Sequence, residues 1–209
     1  GDTLSTIIKW PEYSRTYTVT VTNASGCTAT ASVTINVQSP PTQYAVTGGG
    51  TICFGDPGVP VGLADSQSGI KYQLRVNGTD TGAAVTGSGS AISFGKQTVA
   101  GIYTVFAQNL TTGCAGPMSG NAVIVVNPLP VVEITSESPL ASCLGDTITL
   151  DAGPGYSTYQ WTSGATTQTI QVTSSGIYGV EVTSVEGCIA GAAVPAVVTL
   201  SPLPVVAIN

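Results

Sequence analysis

The chain contains one of its own openings twice. Pro128-Leu129-Pro130-Val131-Val132-Glu133-Ile134 returns 74 residues later as Pro202-Leu203-Pro204-Val205-Val206-Ala207-Ile208. Self-similarity at a fixed period is the signature of a repeat array, whose units each fold as one small supersecondary assembly. A longer phrase recurs three times. Arg15-Thr16-Tyr17-Thr18-Val19-Thr20-Val21 runs to Gly26-Cys27, Gly101-Ile102-Tyr103-Thr104-Val105-Phe106-Ala107 to Gly113-Cys114, and Gly176-Ile177-Tyr178-Gly179-Val180-Glu181-Val182 to Gly187-Cys188. Tyr and Cys are 10, 11 and 10 residues apart. Each phrase leads to a strand-like run and then to a Pro-rich junction at Pro40-Pro41, Pro128-Leu129-Pro130 or Pro202-Leu203-Pro204. Proline fixes φ and restricts the residue before it, so these linkers are short and stiff.

Within each phrase the period is two. Tyr17, Val19 and Val21 fall on one face, and Thr16, Thr18, Thr20 and Thr22 on the other. That alternation predicts a half-buried strand with its Thr face in solvent, and Tyr178, Val180 and Val182 read the same way. No stretch of ten or more residues carries a helical period with capping signals. Units of 75–90 residues made of many short strands and turn signals predict tandem Ig-like β-sandwiches in an extended, all-β array. The expected frame is a C-terminal half-domain over 1–39, complete sandwiches over 40–127 and 128–201, and the first strand of a following repeat over 202–209.

Each complete unit also opens on a second cysteine phrase, Cys53-Phe54-Gly55-Asp56 and Cys143-Leu144-Gly145-Asp146. Four cysteines allow three connectivities. Closing each repeat on itself selects Cys53–Cys114 and Cys143–Cys188, worth about 4 kcal/mol per loop as an upper figure. It leaves Cys27 unpaired, with its partner expected before residue 1. Paired cysteines imply an oxidising location outside the cytoplasm. Free buried thiols are the alternative reading, and a zinc site would lack histidine, of which the chain has none.

The chemistry that is missing narrows function. Without histidine there is no Ser-His or Cys-His nucleophile. Gly48-Gly49-Gly50 reads as a loop before a strand, not a phosphate cradle before a helix. The carboxylate pairs Asp146/Asp151 and Asp56/Asp65 are spaced for turns and strand edges more than for glycoside hydrolysis. No cofactor is expected. Isolated aspartates with backbone carbonyls leave room for Ca²⁺ at a repeat junction, although no calcium loop is written in the chain. Net charge is −6, and residues 128–209 carry six acids and no base. This argues against nucleic acid and against anionic lipid as partners. No apolar run is long enough to span a bilayer as a helix. Tyr159 and Trp161 share a face that reads as core. Trp10, aligned with Val172, reads as core too, although it is the better surface candidate. Asn23, Asn77 and Asn109 head N-x-[ST] sequons.

The pattern Cys143-x-Gly145-Asp146, Tyr159-Gln160-Trp161, Gly176-Ile177-Tyr178, Gly187-Cys188 resembles the Ig-like and PKD-like repeats of large secreted surface proteins of Bacteroidota, which are often exported by the type IX system. Residues 42–127 are similar to another unit of the same proteins. The resemblance implies a structural or adhesive segment of a surface stalk, adhesin or filament, including the gliding-motility kind, with no catalysis of its own. Its partners would be neighbouring repeats of the same long chain, surface glycans or other copies. The D-[ST]-apolar pattern at Asp2-Thr3-Leu4 and Asp146-Thr147-Ile148 implies O-glycosylation at Thr3 and Thr147. Two other readings stay open: carbohydrate-binding modules of a secreted enzyme, and a strand-exchanged extracellular polymer. One departure from immunoglobulins matters. Cys188 follows Tyr178 by ten residues, in a Gly-Cys turn, so the bridge is expected to staple one pole of its sandwich and not to cross the core.

Overall fold

The structure is a computed structural model that describes residues 6–205. All its helix-or-strand structure is β. In chain order the strands are β1 (Arg15–Thr22), β2 (Thr28–Ile35), β3 (Val46–Gly48), β4 (Gly50–Cys53), β5 (Val59–Leu63), β6 (Ile70–Val76) and β7 (Thr79–Asp80). They continue with β8 (Val85–Thr86), β9 (Ile92–Gln97), β10 (Gly101–Asn109), β11 (Ala115–Pro117), β12 (Ala122–Asn127), β13 (Thr135–Ser136) and β14 (Ala141–Cys143). The last are β15 (Ile148–Asp151), β16 (Thr158–Trp161), β17 (Thr169–Val172), β18 (Gly176–Tyr178), β19 (Val180–Thr183), β20 (Ile189–Gly191) and β21 (Ala196–Ser201). The fold is therefore all-β and of the tandem β-sandwich class. Contacts gather residues 1–49, 59–97 and 101–123 into one compact unit, and 50–58, 98–100 and 124–209 into another.

In the first unit, β1 and β2 form a two-stranded antiparallel hairpin with Tyr17 opposite Val33 and Val21 opposite Ala29. Hydroxyl pairs Thr16–Thr34 and Thr18–Ser32, each at 2.8 Å, line its polar face. The apolar face is open: Val19 and Val21 are 54% and 59% exposed. The expected half-burial of β1 therefore does not hold, because among the described residues β1 is paired with β2 alone and no second sheet covers its valines. Elsewhere in this unit β3, β5 and β9 form one sheet. The antiparallel pair β6–β10 sets Leu74 opposite Val105 and Tyr72 opposite Ala107, and all four side chains are buried.

Gly48 and Gly49 do more than make the expected loop. They are the point where the chain leaves the partner of β3 for the partner of β4. Both have positive φ, and a Cβ would meet the Pro60 carbonyl oxygen at 1.9 Å from Gly48 and that of Val123 at 2.6 Å from Gly49. Only glycine fits so close to backbone on a left-handed φ.

The second unit is built from three small sheets, β13-β15-β17, β14-β21-β18 and β16-β19-β20. Their inward residues form one core that includes Ile148, Leu150, Trp161, Ile170, Val180, Val182 and Val198. Here the period-two reading of the repeated phrase holds. Val180 and Val182 are 4% and 1% exposed, while Glu181 between them faces outward. Trp161 is 1% exposed, and its Nε1 donates to the Thr167 carbonyl at 2.8 Å, so the indole is packed and its one donor satisfied. In both sequence repeats, 40–127 and 128–201, the opening strand lies parallel to the last strand of the same repeat. Gly50–Cys53 runs beside Ile124–Asn127, and Ala141–Cys143 beside Thr199–Ser201.

These burials predict a contrast. Leu150→Ala removes a fully buried side chain and should destabilise by about 2–5 kcal/mol. Val19→Ala on the open hairpin face should change stability by less than about 0.5 kcal/mol. Urea unfolding of the intact chain, read by tryptophan fluorescence for Leu150 and by circular dichroism for Val19, measures both.

Candidate functional site: the cysteine-bearing turns

The five cysteines occupy two kinds of turn, and each kind has the same backbone hydrogen-bond pattern wherever it occurs, the Cys114 hairpin being one residue longer than the other two. Cys27, Cys114 and Cys188 close hairpin turns. In each, the residue that starts the turn donates its backbone N–H to the cysteine carbonyl: Asn23 to Cys27 at 2.9 Å, Asn109 to Cys114 at 2.9 Å and Ser184 to Cys188 at 2.8 Å. The same three residues accept at their own carbonyls from Gly26, Gly113 and Gly187. Those glycines have φ of +82°, +76° and +86°. The left-handed region explains why every hairpin cysteine follows a glycine. Side chains complete the turns. Asn23 Oδ1 accepts from the N–H of Cys27 at 2.9 Å, and Ser184 Oγ from that of Cys188 at 3.2 Å.

Cys53 and Cys143 end the parallel opening strands. The Asp56 and Asp146 carboxylates accept from the cysteine N–H at 2.8 and 3.1 Å, and both aspartate N–H groups donate back to the cysteine carbonyl at 3.1 Å. Next along the chain, Phe54 N–H donates to Asn127 O at 2.9 Å and Leu144 N–H to Ser201 O at 2.8 Å. The Asp146 carboxylate also accepts from the Ser142 hydroxyl. That bond, then the one from the Cys143 amide, holds the Asp146 carboxyl below the usual carboxylate range.

The disulfide joins the two kinds of turn, and not as the repeat-closing expectation has it. Cys53 is bonded to Cys188, with Cα atoms 5.6 Å apart, and Cys27, Cys114 and Cys143 are free thiols. Cys53–Cys114 and Cys143–Cys188 are therefore corrected, and with them the single-pole staple. The unpaired Cys27 is joined by two more.

The reason is the direction of the strands. Cys143 lies opposite Ser201 in the ladder, beyond the Gly176–Val198 pair, whereas Cys188 lies past the Thr183–Ile189 pair. The run from Gly176 to Thr183, which changes sheet at Gly179, separates the two ends by up to about 23 Å at 3.3 Å per residue. A disulfide needs Cα atoms within about 7 Å. Cys53 beside Asn127 and Cys114 beside Asn109 have the equivalent places in their own repeat.

The remaining candidates resolve into structural roles. Asp151 Oδ1 accepts from Gly153 N–H at 2.8 Å and Gln168 Nε2 at 3.0 Å, and Asp65 Oδ1 from Ser66 N–H at 2.7 Å. All four carboxylates thus act as turn acceptors. Among the described residues no three His, Cys, Asp or Glu side chains gather for a metal, Ca²⁺ included. Asn77 Oδ1 accepts from Ile102 N–H at 3.0 Å and Asn109 Oδ1 from Thr111 N–H at 2.9 Å, so the sequon asparagines shape their turns. Thr147 is exposed; Thr3 lies outside the described residues. Trp10 is 88% exposed, against the core reading, while its counterpart Val172 is 5% exposed within the core. Ser142, which tunes Asp146, was not singled out by the sequence, nor was the turn-starting role of Ser184, Asn23 and Asn109, the two asparagines being marked only as sequon heads. A short polar residue four or five positions before each hairpin cysteine is the signal that marks the last three.

No family model and no curated protein matches the chain. Among solved structures, it is similar to the three N-terminal domains of the highly immunogenic outer capsid protein of bacteriophage RB49, at 17% identity and a TM-score of 0.36, over 76% of this chain and 59% of that one. It is similar to a Ca²⁺-stabilised adhesin with which an Antarctic bacterium binds ice, at 16% identity and a TM-score of 0.40, over 91% and 57%. Mouse nectin-like molecule 4 gives 16% and 0.34, over 80% and 67%. The chain thus spans less than three fifths of the first two. Likenesses this distant transfer no ligand or activity to it.

The Asp146 turn generates a prediction. With its pKa depressed in the fold, Asp146 favours the folded state above the unfolded carboxylate pKa, and that contribution disappears as pH falls through the lower, folded value. A carboxyl NMR titration should place the Asp146 midpoint below that of an ordinary aspartate. Ser142→Ala should move it upward; an unmoved midpoint would refute the assigned cause.

Proposed function

We propose that this chain is a non-catalytic structural segment of a large extracellular surface protein, a run of β-sandwich repeats that spaces and presents what lies elsewhere in the protein. The observation that carries this reading is the shared backbone hydrogen-bond pattern of the cysteine-bearing turns from repeat to repeat. A substrate site is normally set by residues peculiar to it, placed in a concavity with a few convergent polar groups. Here the titratable and hydroxyl groups are spent on turns, and the same turns recur in each repeat. The Cys53–Cys188 bond supports an oxidising, extracellular setting.

The frame proposed is that of the sequence: half a domain over 1–39, sandwiches over 40–127 and 128–201, and the start of another from 202. Stiff Pro-rich junctions favour spacing over flexible tethering. An adhesin or stalk of Bacteroidota exported by the type IX system is the finer reading that the sequence resemblance supports. In it, neighbouring repeats are the first partners and Thr3 and Thr147 are glycosylated. A carbohydrate-binding module needs an aromatic platform. Trp161 is enclosed, whereas Trp10, 88% exposed, is the tryptophan that such a module would use.

A spacer can be replaced by another spacer. Exchanging residues 40–201 in the full-length surface protein for two unrelated β-sandwiches of similar length should leave attachment of the cells to their target unchanged. Loss of attachment after the exchange, with glycan binding retained by the excised 209-residue chain, would overturn the reading in favour of a binding module.

A further inference from the structure

The disulfide connects different repeats of the sequence. Cys53 belongs to the repeat over 40–127 and Cys188 to the repeat over 128–201. Within a repeat the strand cysteine and the hairpin cysteine stand at opposite ends, too far apart to meet. Between consecutive repeats the ends are of opposite kind: the last strand of one, with its strand cysteine alongside, leads through the Pro-rich junction into the next.

We propose that this bond is the general rule of the array: the strand cysteine of each repeat is joined to the hairpin cysteine of the repeat that follows. Cys143 is then the donor to the hairpin cysteine of the repeat opened by Pro202-Leu203-Pro204. Cys114 receives the strand cysteine of the repeat whose later half is residues 1–39, and Cys27 that of the repeat before.

Two independent observations support the rule beyond the one bond. First, Cys143 reproduces the backbone setting of the bonded Cys53: parallel pairing beside the last residue before the junction, the aspartate carboxylate on its N–H, and the return bond from the aspartate amide. Second, Cys114 is already seated where the rule requires. Cys53 pairs opposite Asn127, the residue before Pro128. The counterpart of Asn127 in the first repeat is Ser39, before Pro40-Pro41. The Cys114 thiol lies 3.8 Å from the carbonyl oxygen of Gln38, the adjacent residue. A cysteine ending a strand laid parallel beside residues 36–39 would therefore arrive at Cys114, as Cys53 arrives at Cys188.

The chemistry is thiol–disulfide exchange with an oxidant that is itself a disulfide, such as oxidised glutathione or a disulfide-bearing oxidoreductase. One protein thiolate attacks the oxidant and releases one of its sulfurs as a thiol. The second protein thiolate then displaces the other, so that one S–S bond forms in the protein. Two protons and two electrons pass to the oxidant, which ends as two thiols. Exposure of Cys143 makes it accessible to that attack.

The rule can be tested by appending a second copy of residues 128–201, marked by Leu144→Val and Glu186→Asp so that its two cysteine peptides differ in mass from the originals, directly after Ser201 of the chain and refolding it with a glutathione redox pair. Non-reducing peptide mapping should recover the original Cys143 linked to Cys188 of the appended copy, beside the original Cys53–Cys188 bond, with Cys27, Cys114 and the appended copy's Cys143 alkylated as free thiols. The original Cys143 linked to Cys188 of its own repeat, or recovered free from the folded extended chain, would overturn the proposal. Cys188→Ser in the original 209-residue chain gives a readout that does not depend on folding of the added copy. It should leave Cys53 fully alkylated, and a Cys53–Cys114 bond in that variant would overturn the proposal as well.

Discussion

A short strand laid parallel to the last strand of its own repeat decides where the cysteines go. Were Gly50–Cys53 antiparallel to Ala122–Asn127, Cys53 would end near the start of that strand, toward the hairpin that carries Cys114. Parallel pairing sends it the other way, to Asn127 and the junction. The same pairing of Ala141–Cys143 with Thr199–Ser201 repeats the outcome. Parallel ladders need a crossover between their strands, and here the crossover is the body of the sandwich itself. The consequence reaches from backbone hydrogen bonds to architecture: a cysteine at one end of each repeat and another at the opposite end, a spacing that suits links between repeats and forbids links within them.

The energetics point the same way. The bond closes a loop with a sequence separation of 135, for which the chain-entropy relation gives about 5 kcal/mol as an upper figure. Small all-β repeats with few charges hold modest cores, and a contribution of that size is a large part of total stability. An intra-repeat bridge would stabilise one sandwich. A bridge between Cys53 and Cys188 also couples the opening strand of one repeat to a hairpin of the next, beyond what a proline-stiffened linker does. For the spacing role proposed above, that coupling is the property most directly tied to function.

Much of this could be read from the residues. Period-two alternation located β19 and its buried valines, and the spacing of Tyr to Gly-Cys located all three hairpins. The aspartates were recognisable as turn and strand-edge residues because they sit at the start and end of a predicted strand. Connectivity could not be read, because a short strand carries no mark of which partner it joins or in which direction. Gly48-Gly49-Gly50 looked like a loop for a related reason: a change of sheet and a turn both need positive φ. Val19, Val21 and Trp10 show a different limit. Their pattern is that of core residues, and pattern alone cannot say whether the opposing sheet is present to bury them.

The central claim is that the cysteines link consecutive repeats. It is tested most directly by peptide mapping with Glu-C and chymotrypsin, which between them separate the five cysteines, of the untreated, non-reduced chain after its free thiols have been alkylated under native conditions. The account predicts one disulfide-linked peptide pair, containing Cys53 and Cys188, with alkylated Cys27, Cys114 and Cys143. Peptides linking Cys53 to Cys114 and Cys143 to Cys188 would contradict it.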